Sequence, residues 1–348
     1  MTSSAVENVP TLPIPIKLGT HNGTFHCDEA LAIWMLSSLS MFENATIVRS
    51  RSPKELDSCE VVVDVGGVYL PSEGRYDHHQ RGFNETLSPH HKIKLSSAGL
   101  IYKHFGREVI QQIIGTPLLS QKTLDILYFH IYKGFVACID GIDNGIKQYK
   151  EGGSPDYVIK TDLSARVGYL NPEWHEQVNE EQMMMRFQKA VQLTGQELTD
   201  HVMRAYKSWI PARQCVYDAV NDLTNNHNQD SSSLSNEILI LKSYVPWKSH
   251  LFQVEEELKV SRQILFVIYE NPLQQQWMVH TVPLPNDNFK SRLMLHETWR
   301  GLSGQPLLDI SQISDANFVH SAGFIGSASS LEGACRMATK TIELYRNL

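Results

Sequence analysis

The chain lacks most of the features that would place it outside an ordinary globular class. It has 5 cysteines, at 27, 59, 138, 215 and 335, an odd number with no Cys-x-x-Cys pair. That pattern argues against a disulfide framework or a structural zinc site and favours a reducing compartment. No apolar run is long enough to cross a membrane. Met1 to Ile16 holds several prolines but no Arg or Lys. It fits neither a secretory signal nor an Arg-rich presequence, and reads as a flexible N-terminus. No Lys/Arg-rich cluster marks a nuclear address, and there are no internal repeats. Positive charge is scarce as well. The net charge of −7 argues against a dedicated duplex-DNA binder. A nucleic-acid enzyme stays open, because bound divalent ions would offset several carboxylates locally.

Apolar material is plentiful. With 348 residues, 42 % of them hydrophobic and 20 % charged, the chain can fill more than one core. In the N-terminal half, short apolar runs alternate with helical patterns, as in an α/β layer. Ile16 to Gly19, Ala45 to Arg49 and Val61 to Val65 read as strands. Asp28 or Glu29 starts a helix through Leu39, and Ser52-Pro53 starts a short one. Ser96-Ser97 caps a helix through Phe105, and Leu124 to Ile139 reads as one long amphipathic helix. Glu180 to Asn221 is helical, with Gly195 and Pro211 expected to bend or divide it. Asn221 to Asn236 is a polar loop. Ile238–Leu241, Gln263–Tyr269 and Trp277–Thr281 read as strands. A last helix spans Leu331 to Arg346, with Ser329 and Glu332 as a capping box. The expected fold is α/β: a largely parallel sheet with helices on both faces, linked by long helices to a smaller α/β C-terminal domain. The expected divisions are a flexible segment over 1–16, a metal-binding catalytic domain over 17–175, a helical linker and polar loop over 176–236, and a substrate-binding domain over 237–348.

Acids and histidines gather at the ends of the expected strands. His21, His26 and Asp28 follow the first strand, Asp64 ends the run Val61-Val62-Val63, and Asp77-His78-His79 follows Arg75-Tyr76. Asp140 and Asp143 come later. Ligands bind beyond the carboxyl ends of strands in open α/β sheets, and a two-metal site needs several such groups around each ion. Asp64 carries most of this reading, because a charge beside three valines is costly to bury without a partner. Asp28, taken alone, reads first as a helix N-cap. One histidine of the pair can bind metal with Asp77 orienting it, while the other faces a phosphate. His90-His91 has no adjacent acid and reads as a solvated loop. Asp140 and Asp143 lie three apart; one can serve as ligand while the other caps, and the preference falls on Asp140.

At these residues the chain resembles the DHH phosphoesterase superfamily, and within it the melanocyte-proliferating-gene (MYG) family of DHH-type exonucleases. The resemblance rests on three segments. They are Gly19-Thr20-His21-Asn22-Gly23-Thr24-Phe25-His26-Cys27-Asp28-Glu29-Ala30, then Val63-Asp64-Val65-Gly66-Gly67 with Tyr76-Asp77-His78-His79-Gln80-Arg81, and Gly323-Phe324-Ile325-Gly326. It covers about 17 to 345. The resemblance implies a DHH-like catalytic domain and a 3′→5′ RNA exonuclease acting with Mn²⁺ or a similar ion. It implies one ion on His21, His26 and Asp64, and a second on Asp28, Asp64, His78 and Asp140. Asp77 would support His78, and His79 would contact the scissile phosphate. The broader superfamily carries an Asp where His26 stands; the extra nitrogen shifts preference from Mg²⁺ toward Mn²⁺ or Zn²⁺.

The expected activity is therefore a two-metal phosphodiesterase that releases nucleoside monophosphates from single-stranded RNA. The alternatives are a small-substrate phosphohydrolase, for pyrophosphate or a short or cyclic dinucleotide, and a non-catalytic metal-binding protein. Arg292 and Arg300 are candidates for phosphate contact. Gly323 and Gly326 would either bring backbone N–H groups to a phosphate or form a tight strand–helix turn. Trp299 or Phe324 would stack a base. Composition points to the cytoplasm or nucleus, and the resemblance admits the mitochondrion. The oligomeric state, homodimer included, is left open.

Overall fold

The computed structural model describes residues 15–148, 157–225, 236–260, 263–285 and 287–346. Most of the expected N-terminal segment and the middle of the polar loop lie outside them. The chain forms two compact units, Met1–Lys207 and Ser208–Leu348. No helix among the described residues is long and apolar enough to cross a membrane.

The first unit is built on five strands: β1 (Lys17–Thr20), β2 (Thr46–Arg49), β3 (Val61–Val63), β4 (Tyr69–Leu70) and β5 (Arg75–Tyr76). Their order is β2-β1-β3-β5-β4, parallel except for β4 at the edge. The three β-branched valines of β3 are buried on both faces, which suits the interior of a parallel sheet. The chain leaves β1 toward β2 on one side and returns to β3 on the other. The switch point therefore lies between β1 and β3, where open sheets form their binding crevice.

Helix α1 (Cys27–Ser37) is buried around almost its whole circumference, as expected of a helix enclosed by others. It packs against α3 (Ser97–Ile114) and α7 (Glu180–Arg204), with the short α2 (Pro53–Leu56) nearer the sheet edge. Gly195 does not bend α7, which runs continuously through it. A Cβ there would collide with the indole of Trp34, so the glycine makes room for helix packing. The helix expected over Leu124–Ile139 is in three parts: α4 (Gln121–Ile131), a π-helical turn (Tyr132–Val136) and α5 (Ala137–Asp143). The short α6 (Leu163–Gly168) completes the unit. The stretch expected as a linker is shared out, since α7 packs on α1 and α8 (Ile210–Asn225) belongs to the second unit.

The second unit carries β6 (Ile238–Leu241), β7 (Phe266–Asn271) and β8 (Gln276–Thr281), then a small ribbon of β9 (Pro283–Leu284) and β10 (Asp287–Ser291), then β11 (Ala316–Val319) and β12 (Ile325–Ala328). The main sheet runs β11-β12-β8-β7-β6, with β6 and β7 parallel and the rest antiparallel. Cores lie on both faces. One includes Trp247, Leu251 and Val254 around α9 (Lys248–Glu257), and the other Trp299, Met337 and Ile342 around α10 (Gln305–Ser311) and α11 (Leu331–Arg346). The cap of α11 is Ser330 rather than Ser329: its Oγ accepts from the Gly333 N–H at 3.0 Å.

Candidate metal centre

Three strand ends and two helices of the first unit converge on one cluster. His21 follows β1, Asp64 follows β3, His78 and His79 follow β5, Asp28 and Glu29 open α1, and Asp143 closes α5. Asp64 takes a left-handed backbone at φ 59°, and Gly66 and Gly67 continue at φ 100° and 68°. This turn ends β3 abruptly and aims the Asp64 carboxylate back over the sheet. Asp tolerates that region better than most side chains, but at a cost typical of functional sites.

The Asp64 carboxylate is divided. Its Oδ2 lies 3.3 Å from His21 Nε2, and its Oδ1 lies 3.2 Å from His78 Nε2. Ser97 Oγ donates to the same Oδ1 at 3.1 Å, which fixes the orientation. Around this pivot the ligand atoms fall into three groups: His21, His26, Glu29 and Asp64; Asp64, His78 and His79; Asp28, His78 and Asp143. Each can hold a divalent ion. Glu29 was not singled out by the sequence, where it reads only as a possible first residue of the helix. It does accept the His26 N–H at 2.8 Å, and the same Oε1 lies 3.1 Å from His21 Nε2.

The electrostatics show what the cluster needs. Burial and then the neighbouring carboxylates of Asp64, Asp143 and Glu29 push Asp28 well above the usual carboxylate range. Burial raises Asp143 also, though His78 partly offsets it. Burial would lower the His21 imidazole, but the Asp64 and Glu29 carboxylates outweigh it and take it up to about 10. His78 is raised in the same way, against its burial, by Asp64 and Asp143. Asp64 is held below its ordinary range, because those two imidazoles outweigh its burial. Protons on the imidazoles thus occupy the gaps between carboxylates that cations would fill. Three buried atoms still have no hydrogen-bond partner: Asp28 Oδ1, Glu29 Oε2 and His78 Nδ1. Orphaned acceptors in a desolvated site are costly, and divalent ions would satisfy them. The donor set of carboxylate oxygens and imidazole nitrogens fits such ions.

Two expectations for unit one are corrected. Asp140 is fully buried but faces away from the cluster. Its Oδ1 accepts from Ser96 N–H at 2.9 Å and Ser96 Oγ at 2.7 Å, and its Oδ2 from Tyr132 at 3.1 Å. Burial raises its carboxyl to about 7, partly offset by these donors. Asp143, not Asp140, reaches His78, at 3.2 Å. Asp77, in turn, supports His79 rather than His78. Its Oδ1 accepts from His79 Nδ1 at 2.7 Å and from the His79 N–H at 3.1 Å, and its Oδ2 from the Gly67 N–H at 2.6 Å. His79 is the exposed member, at 61 %, and lines a cavity of about 330 Å³ with His26, Asp28, Asp64 and Asp143. Asn171 ties down the opposite wall, its side chain pairing with both the N–H and the C=O of Phe25 at 3.0 and 2.8 Å.

The candidates in the second unit have other partners. Arg292 is buried in a two-pronged pair with Glu255, both contacts at 2.7 Å, and also donates to Ile264 O. Arg300 donates to Leu295 O at 3.0 Å and to Tyr345 at 3.1 Å. Arg292 is thus closed off by a carboxylate, and Arg300 is engaged by two neutral acceptors. Gly323, at φ 73°, turns β11 into β12 and not into a helix, and its N–H is taken by His320 O at 2.8 Å. Gly326 is buried in β12, where a Cβ would press on Phe318 O, Leu295 and Met337. Trp299 is core at 1 % exposure, whereas Phe324 is exposed beside His320.

Comparison with known proteins places this arrangement. The family model MYG1_exonuc, described as an uncharacterised protein family (UPF0160), matches residues 17–342. The chain is 44 % identical over 337 residues to the MYG1 exonuclease of Mus musculus, covering 95 % of this chain and 86 % of the relative. It is 40 % identical over 333 residues to a MYG1 protein of Schizosaccharomyces pombe, covering 95 % and 99 %. Among solved structures, a pGpG-specific phosphodiesterase of Vibrio, PggH, aligns over 95 % of this chain and 99 % of its own. The identity is 13 % and the TM-score 0.27, too low to carry an argument. The family match spans the cluster and both units, and the chain belongs to the MYG1 family.

Proposed function

We propose that the chain is a metal-dependent phosphodiesterase that works as a 3′→5′ exonuclease on single-stranded RNA and releases nucleoside monophosphates. The observation that carries this reading is the divided Asp64 carboxylate, with one oxygen toward His21 and the other toward His78. A carboxylate set between two ligand groups is what a pair of ions sharing one bridge requires. His21, His26, Glu29 and Asp64 would hold one ion, and Asp28, Asp64, His78 and Asp143 the other. Three imidazoles among the ligands favour Mn²⁺ or Zn²⁺ over Mg²⁺. Bound ions of this kind supply an acidified water and positive charge for the phosphate oxygens.

The protein's own groups do the rest. Asp77 accepts from the His79 Nδ1–H and so orients the ring, and the Nε2–H of the doubly protonated ring would donate to a phosphate oxygen. Ser97, at the start of α3, holds both acids: its Oγ donates to Asp64 and its N–H to Asp28. The Cys27 thiol lines the same cavity, but burial pushes it up to about 12, so it stays protonated and is no nucleophile. The relatives named as exonucleases support the reaction class. The RNA preference and 3′ polarity rest on the family resemblance.

The test is digestion of 5′-labelled single-stranded RNA with Mn²⁺, run beside an Asp64→Ala variant and a pyrophosphate control. A ladder that shortens from the 3′ end and is absent in the variant is the expected result. Intact RNA with phosphate released from pyrophosphate would replace the proposal with a small-substrate phosphohydrolase.

A further inference from the structure

A second cavity, of about 300 Å³, lies beside the metal cluster in the same unit. The loop from His21 to Asp28 forms a wall of each: Phe25 and His26 face the first cavity, Asn22 and Gly23 the second. Gly23 is two residues from His21, a span of at most about 7 Å. The remaining walls of the second cavity include Arg49, Met183 and Met184, with the exposed Glu180 its one acidic member.

Arg49, like Arg300, is not among the arginines of the fold that pair with a carboxylate. Arg107, Arg166, Arg186, Arg213 and Arg292 each pair with a carboxylate. Among the described residues no carboxylate pairs with Arg49. Its guanidinium lies over the rings of Phe187 and Phe25, at 4.5 and 5.4 Å, so two aromatic faces hold it in place. One Nη donates to Gly23 O at 2.8 Å, and the buried Nε has no hydrogen-bond partner. A half-buried guanidinium held between two aromatic faces, with no carboxylate in contact with it, at the edge of a phosphodiesterase cleft, is suited to a phosphate.

We propose that Arg49 anchors the phosphate next to the scissile one, which makes the cavity beside β2 a second phosphate subsite. The proposal rests on the phosphodiesterase reading above. The anchored group is either the next phosphodiester of the strand or a terminal phosphate of a short oligonucleotide. In both cases the preferred substrate carries at least two phosphates.

The experiment uses the full chain with Mn²⁺, as wild type, Arg49→Gln and Arg49→Lys. The one-phosphate substrates are bis(p-nitrophenyl) phosphate and the dinucleotide ApA, and the two-phosphate substrates are pApA and ApApA. Arg49→Gln should raise KM on the two-phosphate substrates about 10–100-fold more than on the one-phosphate pair, with little difference in kcat. Arg49→Lys should recover part of that gap, because it restores the charge without the fork. A gap confined to pApA identifies a terminal phosphate, and one confined to ApApA an internal phosphate. An equal fall on all four substrates would show that Arg49 only props the Gly23 loop, and would overturn the proposal; so would no change on any. If the wild type cleaves none of them, the phosphodiesterase reading fails by itself. The subsite is then decided by calorimetric titration of inorganic phosphate in EDTA. Binding lost in Arg49→Gln supports it, and equal or absent binding in the two proteins refutes it.

Discussion

The two units treat buried charge in opposite ways. In Ser208–Leu348 the buried cations are closed off. Arg292 meets Glu255 fork to fork, Arg213 meets Glu257, and Arg300 spends its donors on a carbonyl and a tyrosine. In Met1–Lys207 the buried carboxylates of Asp28, Glu29 and Asp64 crowd together, and several of their atoms have no protein partner. Satisfied networks of the first kind hold a fold in register. A network of the second kind weakens the fold that contains it, and that cost marks where binding is to be found.

The largest effect that would break this contrast is at Asp64. Asp64→Ala removes the group shared between two ligand sets and should lower Mn²⁺-dependent turnover on the order of 10³-fold, the scale of losing a group aimed at developing charge. Its thermal midpoint without metal should change little, because His21 keeps Glu29 at 3.1 Å and His78 keeps Asp143 at 3.2 Å, and either ring can release its proton. Arg292→Met should behave in the reverse manner. It strands Glu255 in a buried site and should cost about 3–5 kcal/mol of stability, read as a lower thermal midpoint, while Mn²⁺ affinity by calorimetry is retained. A turnover loss at Arg292 without a stability loss would return it to the substrate site and end the comparison.

The same contrast explains what the sequence could disclose. His21, Asp64 and His78 could be read as candidates because a polar group close behind an apolar strand has few bland explanations, whereas Asp28, which alone read as a helix cap, rested on the resemblance. The helix at Leu331–Arg346 was legible from its strong amphipathic pattern. Glu29 was hidden, because an acid at a helix start is ordinary and its contact to His21 depends on tertiary geometry. Arg292 and Arg300 were misread for a related reason. Their partners Glu255 and Tyr345 lie 37 and 45 positions away, beyond any local pattern. Gly195 looked like a helix breaker until Trp34 was packed on it. The sequence could not separate Asp140 from Asp143, because the Ser96 donors that hold Asp140 are 44 positions away and are brought to it by the tertiary fold.

That pair gives the next prediction, in which two acids of one helix follow the two rules. Asp140→Ala leaves the Ser96 N–H, the Ser96 hydroxyl and the Tyr132 hydroxyl without their acceptor. It should cost about 2–3 kcal/mol of stability, at 1–3 kcal/mol for each buried group stranded and with some relaxation. Asp143→Asn should leave stability nearly unchanged and weaken Mn²⁺ binding about 10–100-fold, judged against the cost of losing groups around a metal. Calorimetry for the metal and thermal unfolding for the fold separate the outcomes. The opposite pattern would restore Asp140 as the ligand.

The smallest predicted effect concerns a feature the two units share. Each keeps an imidazole neutral away from the cluster. Burial, then His201 and Lys133, lowers His130 to about 4, and burial, then Lys248, lowers His280 to about 4. An unfolded chain would protonate both near 6.5. Between pH 6.5 and 4 the unfolded state therefore binds more protons than the folded one, so stability rises with pH across that window. The contribution of the neutral rings is fully present above pH 6.5 and is lost as the pH falls toward 4. Both rings are partly exposed, so solvent screening reduces the effect to roughly 1 kcal/mol each by pH 5. That corresponds to about 2–4 °C in the thermal midpoint of a unit of this size. His280→Gln should shrink the fall in midpoint between pH 7.5 and pH 5 by that amount, and His130→Gln should do the same for its own unit. An unchanged pH slope in either variant would mean that its ring is charged in the folded state. The unit concerned would then contain a buried cation outside the paired arginines, and the division between satisfied and unsatisfied networks would no longer follow the division between units.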